Sequence, residues 1–271
     1  MKNRRIFKLN FSLLGSNFVS MDIKGILFRI LPALSLLLWL SAPAQAQSER
    51  VKDFNSNGWY MYFGDHKLND KWGLHTEVQW RRHNILKDPQ QLLIRTGINY
   101  DLTPSAMFTL GYGYIETHPY GDFPAAGTFP EHRIYQQLQL KNSVSRVGLM
   151  HRYRLEQRWI KPAGAETTTY LNRARYMLKA TLPLIGTSIE AGEPFLAAYN
   201  EIFVGFGNNI QRNIFDQNRA YAALGYKFSN AATLELGYLN QIVQKANGTV
   251  FEHNHTLQVS LFYNLDFSKN N

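Results

Sequence analysis

None of the 271 residues is a cysteine. That excludes a disulfide framework, thiolate metal sites and a cysteine nucleophile. Long apolar runs are almost as scarce. The longest, Ile30–Leu40, is well short of the ~20 residues a membrane helix needs, so a polytopic helical membrane protein is excluded. After residue 47 no stretch shows a helical apolar period with caps. Acidic residues are also in short supply, with 20 against 29 Lys and Arg, for a formal charge of +9. Aromatics, by contrast, are plentiful at 14%, which argues against disorder.

The excess positive charge is unevenly placed. Residues 1–46 hold Lys2, Arg4, Arg5, Lys8, Lys24 and Arg29 against the single acid Asp22. Arg29, the apolar run Ile30–Leu40 and the small-x-small triplet Ala44-Gln45-Ala46 form a basic, an apolar and a cleavage region in the order of a secretion signal. Met21 opens a more ordinary signal than Met1. Residues 1–46 are therefore read as an N-terminal extension and signal peptide starting at Met21, cleaved after Ala46, with 47–271 as the mature domain. Export without cysteine suits a bacterial envelope protein.

The mature chain alternates with period two, as strands do. Over 71–83, Trp72, Leu74, Thr76, Val78 and Trp80 oppose Gly73, His75, Glu77, Gln79 and Arg81. The pattern recurs at about 58–66, 91–101, 105–116, 132–142, 146–160, 168–182, 194–206, 217–228, 232–244 and 254–267. Short turns near 65–70, 101–104, 142–145 and 229–231 alternate with longer links at 84–90, 117–131, 161–167, 207–216 and 245–253. The link at 183–193 is intermediate. Long alternating strands, short turns at one end and long links at the other predict an all-β fold, a transmembrane antiparallel up-and-down β-barrel of outer-membrane type. A soluble sandwich or lipocalin-like barrel is the rival, but its strands are usually about 5–6 residues long. Trp59, Trp72, Trp80, Tyr100, Trp159, Phe228 and Phe267 sit at segment ends, where interfacial girdles lie. Eleven segments are visible, whereas bacterial barrels have even counts. The expectation is therefore ten or twelve strands, with one segment miscounted before Trp59 or around 183–197.

With the apolar parity facing lipid, the other parity fills the interior with charge: Glu77, Arg81, Arg95, Arg133, Arg152, Arg154, Glu156, Arg158, Arg173, Arg175, Glu201, Arg219 and Glu235. Two readings stay open. One is a structural ion-pair network that plugs a narrow lumen, the other a basic constriction for small anionic solutes. The acids interleaved with these bases, together with export, speak against nucleic acid as a partner. No Ser–His–Asp arrangement stands out, so no catalytic residue is assigned. His253 and His255 lack a third ligand, so no metal or cofactor is expected. The link 117–131 carries Tyr120, Phe123 and Phe129, which could fold into the mouth as a lid.

Several motifs resemble an outer-membrane barrel family, mainly of Bacteroidetes, known as domain of unknown function 2490. They are Trp59-Tyr60-Met61-Tyr62-Phe63-Gly64, His118-Pro119-Tyr120-Gly121, Glu131-His132-Arg133-Ile134, His151-Arg152-Tyr153-Arg154-Leu155-Glu156-Gln157-Arg158, Leu196-Ala197-Ala198-Tyr199-Asn200-Glu201 and Asn213-Ile214-Phe215-Asp216-Gln217-Asn218-Arg219. The resemblance spans about 58–267. It implies an outer-membrane barrel and brings no activity, cofactor or catalytic residue. The combined expectation is a monomeric barrel in the outer membrane of a Gram-negative cell, in contact with lipid and with the barrel-insertion machinery during biogenesis. It would serve as a narrow channel or structural barrel. An outer-membrane enzyme acting on lipid or surface substrates, or a surface-interaction or assembly protein, are the alternatives.

Overall fold

The computed structural model describes residues 50–268. The signal-peptide reading, the start at Met21 and the cleavage site lie outside the described residues. The described residues form eleven strands: β1 (Val51–Lys67), β2 (Trp72–His83), β3 (Asp88–Thr103), β4 (Ala106–Thr117), β5 (Phe129–Val144), β6 (Val147–Ile160), β7 (Thr169–Pro183), β8 (Glu193–Phe206), β9 (Phe215–Lys227), β10 (Ala232–Gln244) and β11 (Val250–Tyr263). Each pairs with the next in antiparallel fashion, and β1 closes the barrel against β11.

The even strand count expected from the sequence is not what the fold adopts. An odd number of strands in up-and-down succession leaves the first and last pointing the same way, so they can close only as a parallel pair. Val51 pairs with Val250 and the register runs unbroken to Phe63 and Phe262. The eleven segments read from the sequence correspond to the eleven strands of the described residues. β1 starts at Val51, earlier than the expected 58, and the β2–β3 link shrinks to 84–87.

That link is tight. Asn84 and Ile85 adopt φ of 52° and 65°, a left-handed conformation unfavourable for a β-branched residue. The turn folds onto Gly58 of β1, where a Cβ would lie 2.1 Å from the Ile85 carbonyl oxygen. Glycine is needed there because the two backbones nearly touch.

Strand alternation sorts the side chains into two populations. Outward go Trp72, Val78, Trp80, Ile94, Ile98, Leu110, Ile134, Tyr153, Leu196, Leu224, Leu236 and Leu257, all exposed. Inward go Glu77, Arg95, Gln137, Arg154, Glu156, Arg173, Arg175 and Glu201, all buried. This reverses the usual polarity of a water-soluble protein. Outward amides pair reciprocally. Gln136 and Gln157 exchange hydrogen bonds of 3.1 and 3.2 Å, and Asn200 and Asn218 exchange bonds of 3.2 and 3.0 Å. The interior also holds an apolar cluster of Trp59, Met61, Phe195, Ala197, Tyr221, Ala223 and Leu239, on β1, β8, β9 and β10. Trp59, read from the sequence as an interfacial residue, belongs there at 1% exposure, because its parity in β1 is that of Asn57 and Met61.

Candidate functional site

The charged interior centres on two neighbouring strands. Residues at i and i+2 share a face, so Arg152, Arg154, Glu156 and Arg158 form one inward column on β6. Arg173 and Arg175 form another on β7. The register places Glu156 beside Arg173 and Arg154 beside Arg175. Glu156 is fully buried and accepts from Arg173 at 2.8 and 2.5 Å and from Arg175 at 2.6 Å. Arg95 and Arg154 stand 3.8 and 3.9 Å from the same carboxylate.

Four further carboxylates surround it. Glu201 accepts from Arg152 at 2.8 Å and from Arg175 at 3.0 and 2.7 Å, and Arg219 lies 4.0 Å away. Glu131 is held by Arg133 and by Arg158, the latter at 2.7 and 3.0 Å. Glu77 accepts from Arg95 at 2.8 Å and contacts His75 at 3.3 Å. Asp216 takes the remaining Arg173 nitrogen at 2.6 Å.

Arginines still outnumber acids, and the surplus charge rests on aromatic faces and amide oxygens. The Arg81 guanidinium lies 3.9 Å and that of Arg219 5.0 Å from the Trp59 ring centre. Arg175 and Arg219 lie 4.2 and 4.7 Å from the Phe203 ring. Arg154 covers Tyr135 at 4.8 Å and donates to Gln137 at 2.9 and 2.5 Å. Such cation–π contacts strengthen when desolvated. Tyr135 can cross the interior because Gly111 opposes it. A Cβ at Gly111 would lie 2.3 Å from the ring.

This layer separates two cavities. One, of about 440 Å³, opens on the side of the short turns and includes Arg152, Arg154, Lys179, Lys141, Glu77 and Glu235 in its wall. The other, of about 250 Å³, lies on the side of the long links and includes Arg133, Arg158, Glu131, Asp216 and Tyr120. Both touch Trp59, Arg95, Arg175 and Arg219, so these four form the partition.

The structure brings twelve of the thirteen charged residues singled out in the sequence into or against this layer. Glu235 stands apart, paired with Lys179 at 2.5 Å towards the short-turn end. Sequence reasoning left Glu131 and Asp216 out of the set. Glu131 shares parity with Arg133, a signal that would have found it. Of the three aromatics in the link 118–128 and its exit, Tyr120 enters the mouth and donates to Glu252 at 2.7 Å. Its ring lies 5.6 Å from that of His83. Burial and the neighbouring Glu252 carboxylate raise the Tyr120 phenol well above its ordinary pKa. Phe123 instead faces out at 41% exposure, and Phe129 opens β5 and lines the smaller cavity.

Outward-facing residues of β1 and β2 place Thr76 Oγ1 2.9 Å and the Tyr62 hydroxyl 3.3 Å from His66 Nε2. The Leu265 amide donates to His66 Nδ1 at 3.3 Å. That contact makes Nδ1 the acceptor and puts the proton on Nε2, so the imidazole donates towards Thr76 and is not placed to deprotonate it. His132, His151 and His255 bond Tyr112, Tyr176 and Tyr238 at 2.5, 2.9 and 2.6 Å. Among the described residues no group of three or more His, Asp or Glu side chains could hold a metal ion.

The profile of a family described as protein of unknown function (DUF2490) matches residues 56–252. An uncharacterized protein of Methylorubrum extorquens is 28% identical over 242 residues, covering 84% of this chain and 95% of that protein. No solved structure matches.

Proposed function

Since the chain belongs to the DUF2490 family of unknown function, we propose its role from geometry: an integral outer-membrane barrel, shut across its waist, whose basic vestibule receives small anionic solutes. The observation that carries this reading is the inverted polarity of the barrel, with large apolar side chains exposed outside and paired charge within. Only a hydrocarbon surround favours that arrangement. The shortest strands have 12 residues. At about 3.3 Å per residue and a tilt near 40° they rise roughly 30 Å, enough for the ~25 Å apolar band of such barrels. The reciprocal amide pairs on the outer face also fit lipid, since each amide satisfies the other without water.

The partition at Trp59, Arg95, Arg175 and Arg219 favours a closed barrel over an open pore. The larger cavity favours anions. Its wall holds Lys141, Lys179 and five arginines against Asp65, Glu77, Glu201 and Glu235. Arg152 Nε and Arg154 Nη1 are buried there without a hydrogen-bond partner, donors an anionic oxygen would satisfy.

Refolded protein in planar bilayers tests both halves. The expected result is heat-modifiable gel migration, negligible conductance, and saturable quenching of Trp59 fluorescence by inorganic phosphate that weakens in Arg154→Met. Steady salt-dependent conductance would replace the closed barrel with a pore. Failure to show heat-modifiable migration would remove the membrane reading.

A further inference from the structure

At the long-link end of the seam between β1 and β11 the interior changes character. Arginines give way to oxygen donors. The parallel register sets Asp53 beside Glu252, Asn55 beside Asn254 and Asn57 beside Thr256, and all six are buried at 4% exposure or less. Asp53 is the anomaly. It is 1% exposed, and neither carboxylate oxygen has a hydrogen-bond partner. A buried carboxylate left alone is strongly disfavoured, and an orphaned buried polar group calls for an explanation, a bound water or ion among them.

The orphans concentrate here. Asn254 Oδ1 and Thr256 Oγ1 are also buried and unpartnered. Two of the side chains converge on Gly121 of the overlying link. The point where a Gly121 Cβ would stand is 2.9 Å from Asp53 Oδ2 and 2.8 Å from Asn55 Oδ1. Glu252 completes the set. One of its oxygens accepts from Tyr120, and the other contacts Lys245.

We propose that this seam binds a hard divalent cation of the calcium type, held by the Asp53 carboxylate with Glu252, Asn55 and Asn254. The donor chemistry selects such an ion: carboxylate and amide oxygens, with no imidazole or sulfur. The spacing allows it. Neighbouring strands are about 4.8 Å apart and alternate residues about 6.6 Å apart. The centre of the rectangle of these four residues is therefore about 4 Å from each backbone position, a span that side chains with metal–oxygen distances of about 2.4 Å cover. One carboxylate is unshared and the other is already engaged, so affinity belongs to the weak, extracellular class, with a dissociation constant of about 10⁻⁴–10⁻³ M. The cation satisfies Asp53 and ties together the two strands that no hairpin joins, beneath the link that Tyr120 anchors.

The test uses the refolded full barrel, with terbium chloride as luminescent probe and calcium chloride as competitor. Tyr120, next to Glu252, serves as the sensitising ring. Wild type should give saturable terbium luminescence displaced by calcium, and Asp53→Asn, with its heat-modifiable migration retained, should bind at least tenfold more weakly. Phosphate quenching of Trp59 should persist in Asp53→Asn, which separates this site from the basic vestibule. If Asp53→Asn does not insert, Asn254→Ala takes its place with the same expectation. No saturable signal in wild type, the result if Asp53 simply holds a proton, or unchanged affinity in a folded variant would overturn the proposal.

Discussion

Glu156→Gln keeps the shape of the side chain and removes one charge, so its effect isolates the electrostatics of the partition. Glu156 accepts three hydrogen bonds from Arg173 and Arg175, with Arg95 and Arg154 within 4 Å. Each charge-assisted bond contributes about 1.5–3 kcal/mol. The amide has one acceptor oxygen, and its NH2 faces guanidinium donors, so at least one bond becomes a donor–donor contact. Four arginines lose their common counter-charge. Removing one partner from a buried ion pair typically costs about 3–5 kcal/mol. For a domain of this size each kcal/mol lowers the midpoint by about 2–4 °C, which predicts a fall of roughly 6–20 °C. The assay is thermal unfolding of the refolded barrel in detergent, followed by circular dichroism and by gel migration. Asp70→Asn is the control. Its pair with Lys67 is solvent-exposed, so no measurable shift is expected. A fall below about 3 °C for Glu156→Gln would refute the view that this carboxylate is the centre of the layer.

Three further perturbations follow from the geometry. Gly58→Ala forces a Cβ against the Ile85 carbonyl and should destabilise by about 1–3 kcal/mol, as overpacking does, read as a lowered midpoint with unchanged far-ultraviolet spectrum. Trp59→Ala combined with Arg175→Ala removes half the partition and should turn a silent barrel into a conducting one in planar bilayers; continued silence would mean that other residues close it. Tyr120 should remain neutral above the ordinary tyrosine pKa of about 10, because burial and Glu252 raise it. The folded state favours the protonated phenol, so its contribution is complete below pH 10 and declines only as pH rises through the shifted value. Ultraviolet difference titration of wild type against Tyr120→Phe would show this.

The strands were legible because most of them set an apolar face against a polar one, and alternation of unlike residues is visible in a single sequence. β1 shows where that signal fades. Its first turns set Lys52, Phe54 and Ser56 against Asp53, Asn55 and Asn57. Both faces are largely polar, so the alternation becomes visible only from 58. The same polarity hid the oxygen-rich seam. Inward columns such as Arg152-Arg154-Glu156-Arg158 could be assigned to the interior by parity alone. Which acid meets which base depends on register across strands distant in sequence, as when Arg152 reaches Glu201. Trp59 reads as interfacial from the sequence because a tryptophan near a strand end resembles an interfacial residue whichever way it points. The parallel closure lay beyond a single strand's pattern, since it follows from the parity of the total count.

That closure bears on how the barrel is made. Ten of its eleven neighbouring strand pairs are joined directly by one turn or link and can form as local hairpins. The pair of β1 and β11 unites residues 199 positions apart, so it bears the largest loss of chain entropy and should form last. Until then the molecule is a curled sheet with two free edges, each presenting unpaired backbone groups. Because these edges run in the same direction, neither resembles the antiparallel neighbour that every other strand has. A second chain caught at this stage could pair with either edge in the same sense, so the step that completes the barrel is also where correct and mistaken pairings diverge.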